Sequence, residues 1–285
     1  MKNDETFGSE FDDTDYKKKF DLTEKVVLIT GGVGIIGTQM SKACADLGAK
    51  VAIVDINENA AHVMAKNLNK FRSGSAISVE CDIQQKSQVV EMVDKVVNKF
   101  GKIDVLLNNA AGKSNDLGDF FESTENYELE TWQSVMDVNL TGMFLVAQAV
   151  GKSMVDLEIK GSIVQTSSIY GIRGPDQRIY DGSQYEGRSI NSPVVYSASK
   201  AGVIGLSNYL ATYWGSKGIR VNSLTPGGVF SGQNRVFEEK YSNRVPLGRM
   251  AQASEIASAA VFLASEASSY ITGHNLVVDG GLSCW

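Results

Sequence analysis

Tyr196 and Lys200 stand four residues apart in the run Tyr196-Ser197-Ala198-Ser199-Lys200, which follows Pro193. On a helix, positions i and i+4 share a face, so the phenol and the ammonium point the same way. A neighbouring cation favours phenolate and lowers a phenol pKa that is about 10 when unperturbed. Tyr196 then suits the role of general base toward an alcohol and general acid toward a ketone. Thr30-Gly31-Gly32-Val33-Gly34-Ile35-Ile36-Gly37 offers a second kind of chemistry. Glycines between a strand and a helix let the backbone turn sharply and approach a pyrophosphate resting on the helix N-terminus. Gly31, Gly34, Ile36 and Gly37 are the candidate contacts, although a tight structural turn has the same composition.

Asp55 ends the next β-branched run, roughly 20 residues beyond the last glycine. A carboxylate there accepts hydrogen bonds from adenosine ribose hydroxyls and repels a 2′-phosphate. No basic residue occupies position 55 or 56, so NAD is expected over NADP. Helix capping is the alternative use for Asp55. Asp82 in Cys81-Asp82-Ile83, and Asn109 and Ala110 in Asn108-Asn109-Ala110-Ala111-Gly112, also end strands. Such ends line one ligand-binding edge in open α/β sheets.

These residues need a scaffold. Val26–Thr30, Val51–Val54, Ala76–Glu80, Ile103–Leu107, Ser162–Thr166, Arg220–Leu224 and Leu276–Val278 read as seven strands, apolar almost throughout as parallel strands covered on both faces are. Helical patterns alternate with them over Ile35–Leu47, Glu58–Asn69, Ser87–Phe100, Thr131–Asp156, Tyr196–Tyr213 and Ser254–Ala264. The alternation predicts an α/β chain: a single-domain, doubly wound Rossmann fold with a seven-stranded parallel sheet flanked by helices. The expected domain spans 20–285. It is preceded by a polar arm over 1–19, in which Phe11, Tyr16 and Phe20 could dock on a neighbour or remain disordered.

The 285 residues carry a net charge of −6, against a general nucleic-acid role. No run approaches the roughly 18 uninterrupted apolar residues of a membrane span, and the N-terminus lacks the apolar stretch of a secretory signal. A cytoplasmic location is the default expectation. Cys44, Cys81 and Cys284 form no C-x-x-C pair, and His62 and His274 have no ligand-type neighbours, so neither a metal site nor a Ser-His-Asp triad is expected.

With Asn139 in Asp137-Val138-Asn139-Leu140, Ser167-Ser168, Pro226-Gly227-Gly228, and Tyr270-Ile271-Thr272-Gly273 followed by Asp279-Gly280-Gly281, these motifs resemble the single-domain branch of the short-chain dehydrogenase/reductase family from about Phe20 to Gly281. The resemblance implies four catalytic residues. Tyr196 transfers the proton, and Lys200 holds the nicotinamide ribose and lowers the Tyr196 pKa. Ser168 binds the substrate oxygen, and Asn139 holds a water that feeds a proton relay. It further implies that Asp82 and Ile83 meet the adenine and that Asn109 lies beside the riboses. Pro226, Gly227 and Val229 frame the nicotinamide, and Ser231 stands where the family often has a phosphate-binding Thr. For Asn139 and Ser167, structural uses stay open. Members of this branch commonly form tetramers, so a homo-oligomer, dimer or tetramer, is expected, with the 131–156 and 196–213 helices as candidate faces.

Two features depart from the pattern. Ile35 replaces a glycine usual in this branch, giving the T-G-x-x-G-x-x-G spacing of the extended branch of epimerases and dehydratases. Ser168 and Tyr196 are about twice as far apart as is usual, so the stretch Ile172–Pro193 reads as an insertion over the substrate. Its Arg173, Arg178 and Arg188 could capture an anion, and Tyr180 and Tyr185 could meet sugar hydroxyls. Equally, the arginines could pair with Asp176, Asp181 and Glu186 on a solvated loop. The segments Lys113–Glu130, with Phe120 and Phe121, and Phe230–Arg244, with Gln233, Asn234 and Arg235, are expected at the same mouth. The mixture suggests a polyol, sugar acid or other hydroxy-acid-like or sugar-like substrate. Ser167-Ser168-Ile169-Tyr170-Gly171 with Pro226–Phe230 is similar to bacterial oxidoreductases of flagellin and surface-sugar modification, and to gluconate-type dehydrogenases. The expected activity is therefore NAD-dependent interconversion of a secondary alcohol and a ketone. A non-catalytic NAD(H) sensor or scaffold, and a sugar-nucleotide epimerase or dehydratase, are the alternatives.

Overall fold

The computed structural model describes residues 13–114, 116–185 and 187–285. Most of the 1–19 arm, Phe11 included, and Glu186 lie outside the described residues. Within them, Phe20 packs on Phe262 of the same chain, with ring centroids 6.5 Å apart, while Tyr16 is exposed.

Seven parallel strands form the sheet: β1 (Val26–Thr30), β2 (Lys50–Asp55), β3 (Ala76–Glu80), β4 (Val105–Asn108), β5 (Ser162–Thr166), β8 (Arg220–Pro226) and β9 (Asn275–Val278). Their order is β3-β2-β1-β4-β5-β8-β9. A two-stranded antiparallel hairpin, β6 (Gln184–Tyr185) and β7 (Arg188–Ser189), stands apart from it inside the insertion. Alternate residues of each central strand serve opposite faces. Leu28, Val54 and Ile163 pack beneath α3 (Lys86–Phe100), α6 (Met143–Asp156) and α7 (Val194–Trp214). Ile29, Ile53 and Val164 pack beneath α1 (Ile35–Asp46), α2 (Glu58–Phe71) and α9 (Ala253–Ala264). Burial on both faces accounts for the near-continuous apolar strands.

The chain winds outward from β1 to β3, then returns to place β4 on the other side of β1. Neighbouring connections leave in opposite directions there, which opens a crevice at the strands' C-terminal ends. The register pairs Thr30 with Asn108 at that point. The Thr30 hydroxyl donates to Asn108 Oδ1 (3.1 Å) and accepts from the backbone N–H groups of Asn109 (3.0 Å) and Ala110 (3.1 Å).

Sequence periodicity predicts one regular helix over 131–156. The structure instead has α5 (Leu129–Met136), a π-helical turn (Asp137–Gly142) and α6 in continuous succession. A π turn is a single-residue adjustment that leaves the apolar stripe nearly intact, so periodicity does not register it. By length and composition the 129–156 run is apolar enough to cross a membrane, a property shared with core helices. Here Val146, Val150 and Met154 are buried against the sheet. Two short helices, α4 (Leu117–Phe120) and α8 (Arg235–Ser242), lie in the two segments expected at the mouth, where no helix is anticipated.

Candidate active site

Two cavities meet along the crevice and share Ile36, Asn109 and Ala111. The larger, about 580 Å³, runs between the glycine turn and the ends of β2 and β3. The second, about 300 Å³, lies over the ends of β5 and β8 and under the insertion.

Gly31 opens the first cavity with φ +62°, a left-handed conformation in which a Cβ would stand 2.9 Å from the Ala110 Cα. Asn109 Nδ2 donates to the Thr30 and Gly31 carbonyl oxygens at 3.3 and 3.4 Å, tying the turn to β4. Gly34 is the residue before α1, and Ile35, the departure from the single-domain pattern, is exposed on its first turn. The replacement thus leaves the turn intact. Gly37 lines neither cavity. A Cβ there would fall 2.0 Å from the Gly31 carbonyl oxygen, so a glycine at this position lets the turn pack closely on the helix.

Asp55 stands at the far end of this cavity, where Oδ2 accepts from Val33 N–H (3.2 Å) and Oδ1 from Asn57 N–H (3.0 Å). Asn57, not Asp55, caps α2 by accepting from Ala60 N–H. Two bonds leave the carboxylate with acceptor capacity, since it offers about four lone-pair sites. Asp82 folds back on Gln84, and Ile83, although nearly buried, also lines the cavity. No Lys or Arg is among its described lining residues.

Tyr196, Lys200, Ser168, Pro226, Gly227 and Val229 line the second cavity. Pro193 precedes the first turn of α7, and the helix holds Tyr196 and Lys200 on one face, with Lys200 Nζ 5.9 Å from the Tyr196 ring centroid. Lys200 is 2% exposed and donates to the Thr166 carbonyl oxygen at 2.9 Å. Burial moves its pKa down to about 8. Burial also pushes the Tyr196 phenol upward, against a hydrogen bond with the Ser168 hydroxyl that lowers it. The expected depression of Tyr196 by Lys200 is therefore not what the protein alone produces, because desolvation penalises the phenolate more than its polar neighbours compensate. Ser167 takes its structural alternative: its hydroxyl donates to the Lys200 carbonyl oxygen (2.7 Å), joining β5 to α7.

Asn139 sits in the π turn, wholly buried and lining neither cavity. Its Oδ1 accepts from Gly112 N–H at 2.8 Å, while Nδ2 is buried with no partner among the described residues. Ser231 is exposed and also lines neither cavity; its N–H donates to Gln233 Oε1.

The insertion covers the second cavity with tyrosine, not arginine. Tyr180, on the 3-10 turn Gln177–Tyr180, lines it together with Tyr170. Arg178 pairs with Asp176 (2.7 Å), Arg173 donates to the Ser283 carbonyl oxygen (2.7 Å) and Arg188 is exposed. Of the two uses open to these arginines, Arg178 takes the pairing with Asp176 and Arg173 a main-chain carbonyl, and none of the three lines the cavity. Phe120 likewise belongs to a small core with Val135 and Val195, Asn234 caps α8, and Arg235 pairs with Glu239. Sequence reasoning missed Phe237, Tyr241 and Met250 in the lining. Phe237 and Tyr241 stand at i and i+4 in α8, a spacing that could have revealed the helix.

The groove fits a dinucleotide. Glycine backbone at the switch point lets a pyrophosphate approach, an acidic end suits ribose hydroxyls, and a phenol with a buried lysine lies at the other end. Comparison with known proteins agrees. Residues 34–283 match the family model described as enoyl-(acyl carrier protein) reductase. D-threitol dehydrogenase of Mycolicibacterium smegmatis is 36% identical over 92% of this chain and 94% of that protein. The 3-oxoacyl-[acyl-carrier-protein] reductase of Chlamydia muridarum is 38% identical over 92% of this chain and 98% of its own. Among solved structures, gluconate 5-dehydrogenase from Burkholderia cenocepacia, in complex with NADP and tartrate, superposes with a TM-score of 0.82 at 30% identity, covering 94% of this chain and 98% of that one.

Proposed function

Because this chain belongs to the short-chain dehydrogenase/reductase family, we propose that it is an NAD-dependent dehydrogenase that interconverts a secondary alcohol and a ketone on a small, uncharged polyol. The observation that carries this reading is the second cavity: Tyr196 and Ser168 on its floor, Tyr170 and the insertion's Tyr180 above, and no cation in its described lining except the buried Lys200. A sugar acid or other hydroxy acid would lack a partner for its carboxylate, whereas hydroxyls match phenols and serine. D-threitol dehydrogenase, among the relatives, bears the name of a polyol enzyme.

In this reading Tyr196 accepts the proton of the substrate hydroxyl as the carbinol is oxidised and returns it in the reverse direction. Ser168 orients the substrate oxygen, its own Oγ fixed by accepting from Tyr170 N–H at 3.2 Å. Lys200, anchored on the Thr166 carbonyl, supplies positive charge beside the phenol and reaches the nicotinamide ribose. When bound, NAD supplies the acceptor for the electrons leaving the carbinol carbon and a positive ring that favours phenolate. Asn139 holds the segment beginning at Gly112 in place, and its unpartnered Nδ2 is suited to a water in the proton path. Gly31, Gly34, Ile36, Asn109 and Ala110 hold the dinucleotide, Ile83 and Asp82 its adenine, and Pro226, Gly227 and Val229 its nicotinamide end. Asp55, with no basic residue in the described lining of its cavity, favours NAD.

The domain of this activity spans 20–285, in the cytoplasm, as a homo-oligomer. Tyr209 and Tyr213 stack on the exposed side of α7 with centroids 5.9 Å apart, an apolar face of the kind subunits bury. Sedimentation at micromolar concentration checks this, and a monomer would dismiss it.

Similarity to the 3-oxoacyl-[acyl-carrier-protein] reductase gives a second reading, reduction of an acyl thioester ketone. One experiment separates the readings: reduced-nicotinamide absorbance with a panel of polyols, hydroxy acids and acetoacetyl thioesters, each with NAD(H) and NADP(H). Turnover of polyols with NAD supports the first, and turnover of thioesters alone sinks it. NADH binding without turnover would favour a sensor, and retained NAD without net reduction an epimerase.

A further inference from the structure

Resting on that reading and deepening it, we propose that Tyr180, carried by the insertion, is a specificity-determining residue that binds a second substrate hydroxyl next to the reacting carbinol, selecting vicinal diols. The polar groups of the 300 Å³ cavity are mostly committed elsewhere. Gln233 spends both ends on its own loop, donating to the Val229 carbonyl oxygen (3.0 Å) and accepting from Ser231 N–H (2.7 Å). The Tyr241 hydroxyl accepts from Gly228 N–H, and Lys200 is held by Thr166. Ile169, Phe237 and Met250 complete the wall with apolar surface.

Beyond Tyr196 and Ser168, the Tyr180 and Tyr170 hydroxyls, 3.3 Å apart, are left to face a substrate. Tyr180 donates to Tyr170 and also bonds the Ser192 side chain, so the pair still offers the Tyr170 proton and a lone pair on each oxygen. Tyr180 also lies close enough to Tyr196 to add to the upward push on its pKa.

The position is fixed from outside the cavity. Asp176 accepts from Arg178 N–H to start the turn and pairs with Arg244 at 3.1 Å. Ile179 is buried with Tyr241, Val245 and Met250, and the Tyr180 ring packs on Phe237 with centroids 5.3 Å apart. A hydroxyl held this firmly discriminates better than one on a free loop, because little ordering remains to be done on binding.

The test compares 2,3-butanediol with 2-butanol, which lacks the neighbouring hydroxyl. Oxidation by wild type is expected to favour the diol in kcat/KM by about 10- to 100-fold, the range for one substrate hydrogen bond. Tyr180→Phe keeps the ring on Phe237 and should reduce that preference about tenfold or more, chiefly through the KM of the diol. Arg178→Ala, on the outer side of the same turn, should leave the preference as in wild type. An equal loss on both alcohols in Tyr180→Phe, or an unmoved ratio, overturns the assignment while the dehydrogenase reading stands. Wild-type protein that turns over thioesters and neither alcohol overturns both.

Discussion

Lys200 lies one helical turn from the Tyr196 phenol with its ammonium donating to the main-chain carbonyl of Thr166 at 2.9 Å, the only hydrogen bond among the described residues for a cation almost sealed from water. A lysine so placed is held for its charge rather than for stability.

The Lys200 pKa falls from 10.5 to about 8 in the folded protein. The unfolded chain therefore binds more protons between those values, and stability rises with pH across that window. Below pH 8 the buried charge costs on the order of 3 kcal/mol. Lys200→Met should thus raise the melting temperature of the ligand-free protein by a few degrees at pH 7 while abolishing activity, with the two proteins converging toward pH 10.5. Melting curves across pH 6 to 10 check this; a constant difference would rule it out.

If Tyr196 transfers the proton as proposed, removing its hydroxyl should leave binding intact. Tyr196→Phe is expected to lower kcat about 10²- to 10⁴-fold with little change in NADH affinity or melting temperature. Steady-state rates together with a fluorescence titration separate the two, and a comparable fall in affinity would assign Tyr196 to binding instead.

Asp55 makes the cofactor choice testable. Asp55→Asn keeps acceptors for Val33 N–H and Asn57 N–H and removes the charge that opposes a 2′-phosphate. The ratio of kcat/KM for NADP over NAD should rise by about tenfold or more. A ratio unchanged by the substitution would place cofactor selection elsewhere.

Asn139→Ala leaves the Gly112 N–H without its acceptor in a part-buried site. The expected cost is about 1–3 kcal/mol, read as a lower denaturation midpoint. A fall in kcat should accompany it, larger than any change in KM. Stability loss with full activity would make Asn139 a structural residue alone.

The fold was legible because strands buried on both faces are largely apolar, as in Val26–Thr30, which is buried at every position and polar only at Thr30. Helix α7 was legible for a local reason, since spacing of four fixes Tyr196 and Lys200 on one face whatever surrounds them. Local rules did not reveal how closely Gly37 packs the turn on the helix, which only the Gly31 carbonyl 2.0 Å from the place of its absent Cβ shows. They were equally silent on the π turn at Asn139, whose register depends on what the helix packs against.

Residue types and their order along the chain determined the αβ winding, the dinucleotide edge and the pairing of phenol with ammonium, since each follows from backbone periodicity. Tertiary packing decided the acidity of that phenol, which burial lowers by raising its pKa, and the character of the substrate mouth. It turned Arg173 and Arg178 outward to carbonyl and carboxylate partners and Tyr180 inward, because a guanidinium resists desolvation while a phenol can bury its ring and keep one hydroxyl at work.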